Sequence, residues 1–185
     1  EIWNNVFSQF NATPGLDRRN YPELPHKNID TGMGLERMAS ILQEVPSNFD
    51  TDLFMPIIDK VSSICGKKYE GQAEFKIIAD HIRTITFALS DGANFGNILR
   101  RLLRRAIRYG KKLGIERMFA SDLVPVIAEV MQEAYPYINE NVNMVIQKIN
   151  TEEELFNRTL VNGEKRLQEL FLSDTKKISG EDAFK

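Results

Sequence analysis

Cysteine is almost missing from this chain: Cys65 stands alone among 185 residues. A single thiol excludes an internal disulfide framework and fits a reducing compartment. Within VSSICG it falls on an apolar face, which predicts a packed thiol rather than a nucleophile. Histidine is nearly as scarce. His26 and His81 have no Cys or His at ligand spacing, so no metal site is expected, and His81 is expected to be a structural imidazole inside a helix. No apolar run approaches the ~20 residues that span a bilayer, and no signal-peptide pattern opens the chain, so no membrane partner is expected. An initiator Met is absent too. The chain opens at Glu1 in what reads as mid-strand and is expected to be a piece of a longer protein. A cytoplasmic setting is expected, with an organellar one left open because any targeting segment would precede Glu1. Repeats and low-complexity tracts are also absent. Hydrophobic residues at 42% and charged residues at 27% are ordinary for a globular chain, which excludes wholesale disorder.

What the sequence concentrates is positive charge in one place. In Ile98–Leu113, ILRRLLRRAIRYGKKL, winding at about 100° per residue puts Leu99, Leu102, Leu103, Ala106, Ile107 and Leu113 on one side. Arg100, Arg101, Arg104, Arg105, Arg108, Lys111 and Lys112 fall on the other. Seven basic residues with no acid among them form a local stripe in a chain whose net charge is −2. A merely solvated face mixes signs to gain i,i+4 pairs, and this one does not. Arginine outnumbers lysine five to two, which suits forked contact with phosphates. A membrane-surface helix fits less well, since no Trp or Phe lies in the segment to enter an interface. The expected partner is a nucleic acid.

Elsewhere the pattern alternates between extended and helical. Glu1–Asn11 reads as a strand whose two faces both mix apolar and polar groups, and Asn4 between Ile2 and Val6 fits either a pocket wall or a sheet edge. Ala12–Lys27 holds three of the seven prolines and reads as a long exposed loop. Asn28–Arg37, NIDTGMGLER, reads as an extended segment entering a helix, Leu35–Val45, through a glycine-lined turn. Those glycines serve either a tight turn or the approach of a ligand, an anion being favoured at the helix N-terminus. Further helices are expected over Asp52–Ile64, Glu74–Ser90, Ser121–Ala134 and Asn141–Leu172, with the arginine helix stopping after Gly110 and Gly114. Ser121 is a candidate cap, Pro125 suits a first turn, and the capping-box spacing of Thr151 and Glu154 allows Asn141–Leu172 to be two helices. The expected organisation is a sheet-bearing piece, 1–45, a helical module, 46–172, and a polar tail, 173–185.

EIWNNVFSQFN, DTGMGLERMA, SNFDTDLF, IADHIR and ILRRLLRRAIRYGKKLG follow one another along nearly the whole chain, and together they resemble the alanyl-tRNA synthetase family. In that family DTGMGLER is the third signature, motif 3, of the class II aminoacylation fold. The resemblance implies a mainly α chain. A helical tRNA-recognition module would be preceded by the C-terminal remnant, strands plus motif 3 helix, of an antiparallel-sheet catalytic domain. It also implies that Asn4 and Val6 line an alanine pocket, that Asp30 holds the α-ammonium, and that Gly32 leaves room beside the small side chain. Arg37 would contact the phosphates of ATP, making Asp30 and Arg37 the catalytic candidates. An ammonium needs a carboxylate and a triphosphate needs fixed positive charge, so the roles suit the chemistry.

The implied reaction joins alanine and ATP into alanyl-adenylate and passes the alanyl group to the acceptor end of tRNA(Ala). Mg2+ would neutralise polyphosphate charge. ATP and Mg2+ belong to the whole enzyme, and none is expected bound to this piece. The arginine stripe would grip the acceptor stem. Because alanine and glycine differ by one methyl, worth about 1–3 kcal/mol, editing elsewhere in the parent is expected. Two departures bear on these expectations. The first two class II signatures would precede Glu1, so the piece alone is expected to be inactive. The passage Asn94-Phe95-Gly96-Asn97 has roughly five residues fewer than the family's polar loop, which reads the acceptor stem's identity pair; either the loop is shortened or its residues are missing from the chain as given, and base-specific reading is left open. Apart from the resemblance, the arginine face alone would suffice for a non-enzymatic helical RNA-binding module, and a purely structural helical scaffold is a third reading.

Overall fold

A computed structural model describes residues 3–172 and residue 180 of the chain. The expected tail, 173–185, otherwise lies outside the described residues, as do Glu1 and Ile2. The chain divides into two compact units, Glu1–Met55 and Pro56–Lys185.

In the first unit, β1 (Trp3–Phe10) pairs antiparallel with β2 (Glu23–Met33). The aromatic and β-branched content of the opening residues makes the expected strand. The expected loop over Ala12–Lys27 is shorter than its composition suggests, because β2 already begins at Glu23. A 3-10 turn at Arg18–Asn20, started by the Asp17 carboxylate accepting from the Arg19 N–H at 2.9 Å, reverses the chain. Register runs one to one from Trp3–Met33 to Ser8–Asn28 and then jumps to Phe10–Glu23. Pro25 falls inside that jump, where its missing N–H interrupts no paired rung.

Gly34 leads β2 into α1 (Leu35–Leu42). This helix ends before the expected Val45: Gln43 closes it, and Glu44 turns away with φ 53°. The Gln43 side chain then clasps Asp52, donating to its Oδ1 at 2.7 Å and accepting its backbone N–H at 3.0 Å. Between them a 3-10 turn, Asn48–Asp50, is capped by the Ser47 hydroxyl.

Five helices follow: α2 (Met55–Cys65), α3 (Ala73–Ser90), α4 (Asn97–Lys112), α5 (Val124–Met131) and α6 (Tyr137–Leu172). The β-branched run near Ile82 stays helical in α3, because buried Ile78, Ile82, Ile85 and Leu89 recur at helical spacing and packing outweighs propensity. Leu99, Leu103, Ala106 and Ile107 of α4 join this core with Ile127 and Ala128 of α5 and Ile138, Val145 and Ile149 of α6.

Gly110 does not stop α4, contrary to its reading as a helix end. It is buried inside the helix, and the aromatic ring of Phe119 lies against it: a Cβ there would meet Phe119 Cε1 and Cζ at 2.4 Å. The turn comes at Gly114, with φ 91°. The expected helix at Ser121–Ala134 divides into a 3-10 turn, Ala120–Leu123, and α5. Ser121 is buried and caps nothing. Instead Glu153 of α6 caps the turn, Oε1 accepting from the Phe119 N–H at 3.1 Å and Oε2 from the Ala120 N–H at 3.2 Å. α6 is one helix, not two. The Thr151 hydroxyl donates back to the Gln147 carbonyl at 2.9 Å and Glu154 pairs with Arg158, so neither serves as a cap.

Candidate functional site

Two groups of side chains stand out, one on the sheet and one on α4. On the sheet, Asn4 pairs with Gly32 and Val6 with Asp30. Directly opposed residues of an antiparallel pair share a face, so Asn4, Val6, Asp30 and Gly32 lie together on one side of the hairpin. Ser8 and Asn28, the next pair at this period, join them. The opposite side carries Trp3, Phe7, Ile29 and Met33, where the Trp3 indole N–H donates to the Thr31 hydroxyl at 2.8 Å. Asn5, paired with Thr31, lies on that side as well, so both faces of the hairpin remain mixed.

Within this group one oxygen of Asp30, Oδ1, accepts from the Thr31 N–H at 2.9 Å. Gly32 has nothing within 4 Å of the position a Cβ would take, and its φ is not in the left-handed range. Neither sterics nor backbone strain within the chain requires glycine there. Gly34 differs. A Cβ on it would meet the Arg37 Cγ and Cδ at 3.3 Å, so this glycine admits the stem of Arg37 as it folds back along the start of α1.

On α4 the expected division is observed. Leu99, Leu103, Ala106, Ile107 and Leu113 are buried and Leu102 half-buried, while all seven basic side chains are exposed. They are not equivalent. Arg100 is held by Glu152 of α6, and this partner raises the guanidinium pKa further. Arg101, Arg104, Arg105, Arg108, Lys111 and Lys112 are paired with no carboxylate among the described residues. Arg101, Arg104, Arg105, Arg108 and Lys112 border one cavity of about 580 Å³ together with Leu102 and Tyr109. Two rings flank the stripe: Arg104 lies 5.4 Å from the Phe156 centroid, and Arg105 and Lys112 lie 5.8 and 4.7 Å from that of Tyr109. The turn feeding α4 is fixed from α6. Lys148 Nζ donates to the Ala93 carbonyl at 3.5 Å, and the Tyr137 hydroxyl bonds the Asp91 carboxylate, which raises the tyrosine pKa.

The sequence gives Tyr109 and Glu152 no role, and Phe156 only that of an apolar position in the long helix. Tyr109 was detectable, since it stands four residues after Arg105 and three before Lys112, the spacing of helical neighbours. Glu152 carried no local signal, being 52 residues from Arg100. Cys65 is half-buried, with its thiol toward the Ser62 carbonyl at 3.6 Å. His81 sets Nδ1 3.1 Å from the Asp80 carboxylate, and its Nε2 is buried without a hydrogen-bond partner. Among the described residues no three His, Cys, Asp or Glu side chains converge as a metal site, and no helix is long and apolar enough to cross a membrane.

A family model described as tRNA synthetases class II (A) matches residues 1–185, the full chain. The chain belongs to the class II tRNA synthetases. The Alanine–tRNA ligase of Lactococcus lactis subsp. cremoris (strain MG1363) is 51% identical over 197 residues, covering 100% of this chain and 23% of that relative. The Alanine–tRNA ligase of Bacillus mycoides (strain KBAB4) is 53% identical over 199 residues, covering 100% of this chain and 22% of the relative. This class II synthetase chain therefore spans under a quarter of the length of the curated relatives it matches. Both alignments are longer than its 185 residues, so these relatives carry residues with no counterpart here. Its mainly α architecture, a short antiparallel sheet followed by a helical module, is the one expected of a class II synthetase remnant joined to such a module.

Proposed function

We propose that the chain is part of an alanine–tRNA ligase, in which 1–45 supply the motif 3 side of the aminoacylation site and 46–172 bind the tRNA acceptor stem, with 173–185 leading onward. The observation that carries the RNA half is the α4 stripe. Six exposed cations without carboxylate partners are costly to crowd together unless an anion neutralises them, and the phosphates of a duplex do so. The catalytic half draws support from the hairpin register. Asp30 offers a carboxylate to the α-ammonium of alanine, Asn4 and Val6 flank it, and the unfilled space over Gly32 takes the methyl group. Arg37, its stem accommodated by Gly34, contacts the ATP phosphates. The carboxylate of alanine attacks the α-phosphate of ATP and pyrophosphate leaves; a hydroxyl of the tRNA acceptor end then takes the alanyl group from the adenylate, and AMP leaves. A cytoplasmic setting accompanies this role in translation.

In the whole enzyme Mg2+ would accompany ATP and neutralise charge on the polyphosphate, while Asp30 and Arg37 supply this chain's contacts to alanine and to the phosphates. The test has two arms. The chain is titrated with an RNA hairpin carrying the acceptor stem of tRNA(Ala) over a range of salt, and the whole enzyme is assayed for alanine-dependent ATP–pyrophosphate exchange with Asp30→Asn and Arg37→Ala. Salt-dependent binding by the chain and loss of exchange in both variants support the reading. Unchanged exchange overturns the catalytic half and leaves an RNA-binding module. Absence of binding overturns the RNA half. Exchange by the isolated chain would contradict its assignment as one side of the site.

A further inference from the structure

A phosphate-binding stripe has two requirements that conflict. Its cations need to be held in place, because fixing a long side chain on binding costs affinity, yet pairing them with carboxylates cancels the charge that attracts the ligand. α4 shows both solutions side by side. Arg100 is ordered by the Glu152 carboxylate, whereas Arg105 and Lys112 are ordered by the ring of Tyr109, at 5.8 and 4.7 Å from its centroid. An aromatic face attracts a cation through its quadrupole and leaves the net charge intact. Phe156 does the same for Arg104 at 5.4 Å.

We propose that Tyr109 is a positioning residue for RNA binding, acting through Arg105 and Lys112 to hold both cations ready for backbone phosphates. The inference rests on the reading of α4 as an RNA-binding surface. Its geometry is local to one helix: Arg105, Tyr109 and Lys112 lie along one edge, with Arg101 and Arg108 beside them and Leu102, half-buried, anchoring the edge to the module. The phenolic oxygen takes no part, so phenylalanine is an adequate replacement and leucine is not.

The experiment uses the 185-residue chain and the same acceptor-stem RNA hairpin. Tyr109→Leu is expected to weaken binding about tenfold, the loss of two exposed cation–ring contacts, while Tyr109→Phe binds as the unaltered chain does. In an Arg105→Ala/Lys112→Ala background, Tyr109→Leu is expected to have no further effect. A structural readout runs in parallel: ring-current shifts of the Lys112 side-chain protons, present in the unaltered chain and in Tyr109→Phe, are lost in Tyr109→Leu. Circular dichroism establishes that each variant is folded. An equal loss in the double-alanine background would mean that the ring touches RNA itself and overturns the positioning role. Lost ring-current shifts with unchanged affinity overturn it too, while the RNA reading stands. Binding that is indifferent to Arg101→Ala and Arg108→Ala overturns the RNA reading and this inference together.

Discussion

Arg100 and Glu152 form a forked ion pair between α4 and α6: Nε donates to both carboxylate oxygens at 3.1 Å and Nη2 to Oε1 at 3.0 Å. One cation of the stripe is thereby spent on the fold. Its removal and the removal of a free neighbour should therefore differ. Arg101→Ala or Arg108→Ala is expected to lower the slope of log affinity against log salt by about 0.7–0.9, the share of one phosphate contact. Arg100→Ala is expected to change that slope less and to lower the thermal midpoint more. Equal slopes for Arg100→Ala and Arg101→Ala would count against the distinction.

Gly110→Ala tests the contact with Phe119. The added methyl would lie 2.4 Å from two ring carbons of a side chain that is 1% exposed, so something must shift. Overpacking costs about 1–3 kcal/mol, and the helix preference for alanine over glycine returns about 1 kcal/mol at most. A net loss of stability in urea titration is expected, with partial recovery when Phe119→Leu is added. A stabilised Gly110→Ala chain would show that the ring yields without cost.

Burial raises the Glu153 carboxyl above the ordinary glutamate value, although two backbone N–H groups pull the other way. As pH rises past about 4.3, the unfolded chain releases this proton before the folded one. The group's contribution to stability is therefore full below that pH and declines as pH climbs toward the raised folded value. Carbon NMR should find the Glu153 midpoint above the ordinary range, and Glu153→Gln should flatten that segment of the stability profile. A midpoint at or below the ordinary value would reverse the sign.

Gly32→Ala separates a structural glycine from one kept for a ligand. With nothing within 4 Å of the new Cβ, the thermal midpoint is expected to stay within what about 0.5 kcal/mol would produce. In the whole enzyme the same change is expected to weaken alanine-dependent pyrophosphate exchange at least about tenfold, the scale of one methyl in a fitted pocket. Full exchange activity would overturn the proposed place of Gly32 beside alanine.

Periodicity carried much of the fold. The amphipathic stripes of α3, α4 and α6 are written locally, and so is the exposure of the seven basic side chains. What was not legible depends on partners distant in sequence. Gly110 looks like any helix-ending glycine until Phe119 is seen against it. Thr151 and Glu154 have the spacing of a cap, but Ile149 and Glu153, buried two residues before and after Thr151, hold that stretch inside one continuous helix. The sheet site is a matter of register: no local signal in β1 reveals that Asn4 and Val6 stand opposite Gly32 and Asp30, because the intervening segment sets the pairing through an irregular jump. Composition identified that segment as turn-rich without revealing where β2 would resume.

Within little more than one turn of α6, Glu152 reaches Arg100, Glu153 ties down Phe119 and Ala120, and Phe156 lies beneath Arg104. A rise of about 1.5 Å per residue places these three grips within roughly 6 Å along one rod. The 3-10 turn and the near edge of the cationic stripe are thus keyed to a common shaft. A rotation of α6 cannot adjust one of them without carrying the others with it.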